Sequence, residues 1–269
     1  MARYLFSILT IFCVQSAFAQ NAKIDSLKAL LPKTQGGARA DLCLELAIEL
    51  YGIDNHTCLA FAKESMNIAT HVGDSLRMVK SGKVVGVVLR RLEKYDSAIT
   101  IGLYLEKIAH RNFFNSEIHG DVLNGLGLGY VFLSRYDQAL SCLQKAHSAY
   151  VKNDVQDGVY TALNNIGLIY YKLRNPELAL TYYKKSLNVW NSYNHSTSTN
   201  INLLTNISLC YTSIDSLKEA RDILLPVLER CPSECSDFEF TSALFTSGNI
   251  WYESDSLQKA ENEFLRSYA

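Results

Sequence analysis

Small, apolar and polar positions recur along this chain at a fixed long spacing. The segment Leu123-Asn124-Gly125-Leu126-Gly127-Leu128-Gly129-Tyr130-Val131, followed by Tyr136-Asp137-Gln138-Ala139-Leu140, returns as Leu163-Asn164-Asn165-Ile166-Gly167-Leu168-Ile169-Tyr170-Tyr171 and Asn175-Pro176-Glu177-Leu178-Ala179-Leu180. Gly127 to Gly167 and Ala139 to Ala179 are both 40 positions. A period of this length predicts a stack of helical pairs rather than one globular core.

The register runs further. Small residues fall at Gly86, Gly127, Gly167, Ser208 and Gly248, and alanines at Ala98, Ala139, Ala179, Ala220 and Ala260, each 12 residues after its small partner. That separation places the two markers on opposite members of an antiparallel pair, where a missing side chain lets the backbones approach closely. Leu89, Tyr130, Tyr170, Tyr211 and Trp251 or Tyr252 lie one turn after the small residue on the same face. Tyr95-Asp96, Tyr136-Asp137, Asn175-Pro176, Asp215-Ser216 and Asp255-Ser256 read as turn and N-cap chemistry before each second helix, with Pro176 at an early helical position.

These residues carry a resemblance to the tetratricopeptide repeat (TPR) family. Its motif has a small residue in the first helix, a Tyr one turn later, an Ala early in the second helix and an aromatic one turn after that, as in Gly167, Tyr170, Ala179 and Tyr183. Leu42 to Ala69 resembles a divergent first copy with Ala47 and Ala60. The resemblance implies an all-α, right-handed superhelical solenoid of about six antiparallel helix pairs over residues 41–269, the last pair truncated, with a lead helix and linker over 20–40. The family repeat is usually 34 residues and this one is 40 or 41, so about six residues extend the helices or the loops at His110–Glu117, Lys152–Gly158 and Tyr193–Thr199.

At the N-terminus, Arg3 precedes an apolar stretch from Tyr4 to Val14, then Gln15-Ser16 and Ala17-Phe18-Ala19 before Gln20. That is the pattern of a secretory signal over residues 1–19, cleaved near Ala19-Gln20 to leave a secreted or periplasmic protein. An uncleaved membrane anchor is the competing reading, and the stretch is short for a span. Cleavage removes Cys13, leaving six cysteines; an export compartment permits a disulfide between Cys43 and Cys58 or between Cys231 and Cys235, while Cys142 and Cys210 read as packed hydrophobes.

Twenty-six basic against 27 acidic residues, with no single-sign block, argue against a nucleic-acid partner. No catalytic constellation appears. The six histidines form neither a His-x-x-x-His nor a His-Glu-x-x-His arrangement, Cys231-x-x-x-Cys235 lacks a second ligand pair, and Gly125, Gly127 and Gly129 occupy a helical repeat position rather than a phosphate loop. The sequence therefore predicts a noncatalytic chain with neither metal nor cofactor.

A repeat array offers a concave surface lined by its first helices. With Gly127 and Gly167 facing the paired helix, the positions three before and four or five after them face the groove: Asn124, Val131 and Phe132, and Asn164, Tyr171 and Lys172, with Asp121 and Thr161 one turn earlier. The resemblance implies that Asn124 and Asn164 grip the backbone of an extended peptide; local backbone capping is an equal reading of both. Lys80, Lys83, Arg90 and Arg91 form a basic cluster suited to a carboxylate or to plain solvation, and they do not reproduce the family's carboxylate clamp.

The partner expected on these grounds is a protein or extended peptide, or another copy of the array. A passive assembly scaffold and a small-molecule or carbohydrate module are the alternatives. The chain stops at Arg266-Ser267-Tyr268-Ala269 without a capping unit. That ending, with the signal, resembles the periplasmic sensor region of a longer signalling protein with a membrane-anchored output domain beyond residue 269.

Overall fold

A computed structural model describes residues 20–193, 200–234 and 237–268, except for the side chains of 230–234, 237 and 238. The signal segment, most of Tyr193–Thr199 and the side chains of Cys231 and Cys235 lie outside the described residues. The chain divides into two units, Met1–Arg135 and Tyr136–Ala269.

The first unit contains α1 (residues 20–30) with a 3-10 turn at Leu31–Lys33, α2 (Gly36–Leu50), α3 (Asn55–His71), α4 (Ser75–Arg91), α5 (Tyr95–Asn112) and α6 (Glu117–Phe132). The second contains α7 (Tyr136–Lys152), α8 (Gln156–Lys172), α9 (Pro176–Tyr193), α10 (Ile201–Ser213), α11 (Leu217–Glu234), α12 (Asp237–Glu253) and α13 (Leu257–Tyr268). All described regular structure is helical, and within each unit the pairs stack as in a TPR-like right-handed solenoid.

Consecutive helices pack against each other in both units. Alternate first helices also touch, α2 with α4 and α4 with α6 in one unit, α8 with α10 and α10 with α12 in the other. Among the described residues the second helices make no such alternate contact. The first helices therefore form the tighter layer of each unit, the layer on which a groove can open. The residues beyond 34 per repeat lengthen helices more than loops: α5 runs to Asn112 and α7 to Lys152, leaving connections of three or four residues.

The turns inside the pairs repeat their geometry. Glu93, Ser134, Arg174, Asp215 and Asp255 all take φ between 54° and 59°, the left-handed region. The residue after each donates its N–H five residues back along the first helix, as in Lys94 to Leu89 O (2.8 Å), Asn175 to Tyr170 O (3.0 Å) and Ser256 to Trp251 O (2.9 Å). This closes the orphan carbonyls at the helix end although none of the five is glycine.

Asn175 then caps α9 by accepting the Leu178 N–H (3.0 Å), with Pro176 opening the helix. Tyr95-Asp96 departs from the cap expectation: both already lie in the first turn of α5, and the capping position falls on Lys94 without a side-chain bond.

The marker residues pack in a more specific way than close backbone approach. A Cβ added at Gly167 would lie 2.8 Å from the Tyr183 ring, and one at Gly248 2.5 Å from the Phe264 ring, so these glycines make room for an aromatic of the second helix. Gly86 departs from this, since its nearest neighbour would be 3.9 Å away at Arg90. Ser208 fills the same register by donating its hydroxyl to Ala220 O (2.9 Å).

In the first copy Ala60 is exposed, and Cys58, the fourth residue of α3, takes the place that alanine holds in later copies. No disulfide joins Cys43 and Cys58. Both are buried free thiols, and Cys58 donates to Ala47 O (2.9 Å). Within 20–40, α1 is a lead helix whose Ile24 and Leu27 are buried in the core of the first unit, and α2 already begins at Gly36.

Candidate functional site: a polar groove on α4, α5 and α6

In the first unit a groove opens between α4 and α6 with α5 as its floor, enclosing about 220 Å³. Lys83, Val87 and Arg90, spaced by helical turns, form one wall. Asp121, Asn124, Gly125 and Leu128 form the other, and Ala98, Ile101, Gly102 and Leu105 lie beneath. Glycine matters at two points of this frame. Cβ atoms at Gly82 and Gly102 would come within 2.5 Å of Leu105 and 2.9 Å of Leu126, so their absence lets α4, α5 and α6 close together under the groove.

The two walls are tied by charge. Lys83 Nζ pairs with an Asp121 carboxylate oxygen, and Arg90 Nη1 donates to Gly125 O at 3.2 Å, a helix carbonyl left accessible because residue 125 has no side chain. Burial lowers the Arg90 pKa, with Tyr51 acting in the opposite sense. An arginine nonetheless stays charged at physiological pH. The bond to Gly125 uses one N–H of a guanidinium that carries five in a planar fork, a geometry matched to carboxylates.

Of the twelve sequence-expected residues, Lys83, Arg90, Asp121 and Asn124 meet in this groove. Lys80 is exposed beside an adjoining apolar surface of Leu44, Ile48, Tyr51, Val84 and Val87, and Arg91 lies over the Tyr51 ring (5.2 Å) rather than in the groove. Val131 is a correction: it is only 5% exposed and belongs to the core of its unit. Phe132 is 52% exposed but stacks on Tyr95 (4.9 Å between centroids), at the turn end of the pair rather than over the groove. Positions after the glycine thus run into the helix end, where side chains turn toward the second helix.

In the second unit Asn164 accepts from Asn206 Nδ2 (3.3 Å), and the Tyr171 hydroxyl accepts from Ser213 Oγ (3.5 Å), both between α8 and α10. Thr161 donates to Asp157 O one turn back, a local helix bond, and Lys172 is exposed at the end of α8. Sequence reasoning missed the groove floor, Ile101, Gly102 and Leu105, because it was sought on first helices alone. A Glu106, His110 and His119 cluster at the α5–α6 end also went unread. Its signal was the Glu-x-x-x-His spacing of 106 and 110.

Residues 158–233 match the tetratricopeptide repeat family. An uncharacterized protein, ycf37, of Guillardia theta is 33% identical over 104 residues, which is 38% of this chain and 54% of that protein. The match thus spans about half of that relative's length.

Among solved structures, the apo form of RapI superposes with a TM-score of 0.70 at 14% identity, covering 90% of this chain and 86% of RapI. A signal transduction ATPase with a tetratricopeptide repeat sensor, PH0952 of Pyrococcus horikoshii, gives 0.70 at 16% identity over 96% of this chain and 40% of that one. These likenesses establish the all-α, TPR-like fold.

Proposed function

We propose that the chain is a noncatalytic, TPR-type recognition domain that takes an extended peptide or protein segment in the α4–α5–α6 groove, with an acidic group of the guest against Arg90. The observation that carries this reading is the half-buried Arg90 guanidinium held over a helix carbonyl, between the two groove walls and beside Asn124. Asn124 offers both a donor and an acceptor to a peptide backbone. The Lys83–Asp121 pair fixes the spacing of the walls and supplies a second cation when a guest carboxylate competes for it.

Volume favours a peptide over a free small molecule. The 220 Å³ groove is below the ~300–1,000 Å³ of ordinary small-ligand pockets. It suits one side chain of a longer guest whose backbone runs outside.

The secretory pattern before Gln20 supports a periplasmic setting, and the sensor role named for PH0952 supports a place in signalling. In that setting the array is the sensing part of a larger protein, and a guest signals by favouring one of two curvatures.

The test is fluorescence anisotropy against a library of acidic peptides, comparing wild type with Arg90→Gln and Asn124→Ala at matched helicity. A charged hydrogen bond of about 1.5–3 kcal/mol predicts roughly 10- to 100-fold weaker binding for Arg90→Gln. Asn124→Ala should show a smaller loss, and a Lys172→Ala control no change. Binding that Arg90→Gln leaves intact removes the groove from the account.

A further inference from the structure

We propose that Glu106, His110 and His119 form a three-ligand site for a divalent transition-metal ion, with zinc the best match to the donor set. Glu106 and His110 are four residues apart on α5, so both side chains leave the same helix face. His119 comes from the first turn of α6, and the helix contact brings its ring against them. One Glu106 oxygen lies 3.7 Å from His119 Nε2 and 3.9 Å from His110 Nδ1, and the three ligand atoms all fall within 4.8 Å of one another.

These separations are long for hydrogen bonds but close to those between ligands around one cation. An ion equidistant from three such atoms would sit about 2.5 Å from each, against ~2.0–2.2 Å for zinc with imidazole nitrogen and carboxylate oxygen. Tetrahedral ligands at such bond lengths lie about 3.4 Å apart, so the contraction needed between ligand atoms runs from a few tenths of an ångström up to roughly 1.4 Å. It falls on His110, whose side chain is 60% exposed and can turn, while His119 is 4% exposed and held in place.

The surroundings fit such a site. Phe114 packs edge-on against His110 (4.8 Å) and lies 5.8 Å from the His119 ring, an apolar cover over the two imidazoles. Two histidines and one carboxylate leave a fourth position toward solvent at His110, as in three-ligand zinc sites.

The site also has a built-in consequence. The Asn115 N–H points at His119 Nδ1 (3.3 Å), which places the ring proton on Nε2. Coordination through Nε2 moves that proton to Nδ1, so Nδ1 becomes a donor and the Asn115 amide must turn away. Metal binding therefore rearranges the connection between α5 and α6, beside the groove end.

Isothermal titration of the full chain with zinc chloride tests this, with His110→Ala and Glu106→Gln as variants whose helicity is checked by circular dichroism. One equivalent of zinc should bind wild type, and each variant should bind it at least 10-fold more weakly, since even outer-shell changes cost ~10–100-fold. The Asn115 amide resonance should shift with that equivalent in wild type and stay put in His110→Ala. Absence of saturable one-equivalent binding in wild type overturns the proposal. So does binding within twofold of wild type in His110→Ala, which would assign the ion to cysteines or other histidines.

Discussion

Gly86 and Gly167 hold the same place in their repeats but not the same physical situation. Gly167 sits against the buried Tyr183 ring, so Gly167→Ala forces that ring or the helix to move and should cost roughly 1–3 kcal/mol. Gly86 has open space, so Gly86→Ala should stabilise by up to about 1 kcal/mol through helix propensity while narrowing the groove. Thermal melts of the two variants should move in opposite directions.

Both glycines were legible as one sequence marker, because the repeat spacing reports register. The difference was not, because it depends on which second-helix side chain reaches back. Cysteines follow the same rule. Burial, then the neighbouring Glu64, raises the Cys43 thiol to about 11, and burial raises Cys210 to about 12. Both should stay thiols that a water-soluble disulfide reagent labels only after unfolding, as mass spectrometry of the intact and denatured protein would show.

Among elements, the joint between α2 and α4 rests on one arginine. Arg77 bonds Asp41 of α2 through Nε (2.7 Å) and Nη2 (2.9 Å) and reaches Asp74 through Nη1 (2.6 Å), while Asp74 caps α4 by accepting the Arg77 N–H. The Arg77 side chain holds the Asp41 carboxyl below the ordinary value of 3.8, and the Arg77 backbone N–H does the same for Asp74.

A carboxylate with a depressed folded pKa adds stability that is complete above the unfolded pKa and lost as pH falls through the folded one. Urea midpoints should therefore be flat from pH 7 to about 5 and fall below pH 4. Asp74→Asn should lower the midpoint at neutral pH and differ little from wild type at pH 2.5; an equal deficit at both would contradict the assignment.

The helices themselves were legible from the small, aromatic and alanine positions, and Asn175-Pro176 gave its cap correctly. The start of α5 was not, because Tyr95-Asp96 looks like a cap while the left-handed residue that sets the turn is Glu93. Four different residue types at that turn position hide a single backbone conformation.

For the whole molecule, the sequence carried the class of architecture and the near-neutral charge, and it located one wall of the groove at Asp121 and Asn124 and the other at Lys83 and Arg90. It misplaced Val131, since the rule that works before the glycine fails where the helix ends. The site is the meeting of three helices, and only folding brings α5 beneath the other two.

The central claim is that recognition occurs on α4 and α6 of the first unit. The most direct measurement is hydrogen exchange of the full chain with and without a saturating acidic peptide selected by wild-type binding. The account predicts added protection in residues 82–90 and 121–128, lost in Arg90→Gln. Protection confined to the second helices, or to residues 161–172 alone, would contradict it.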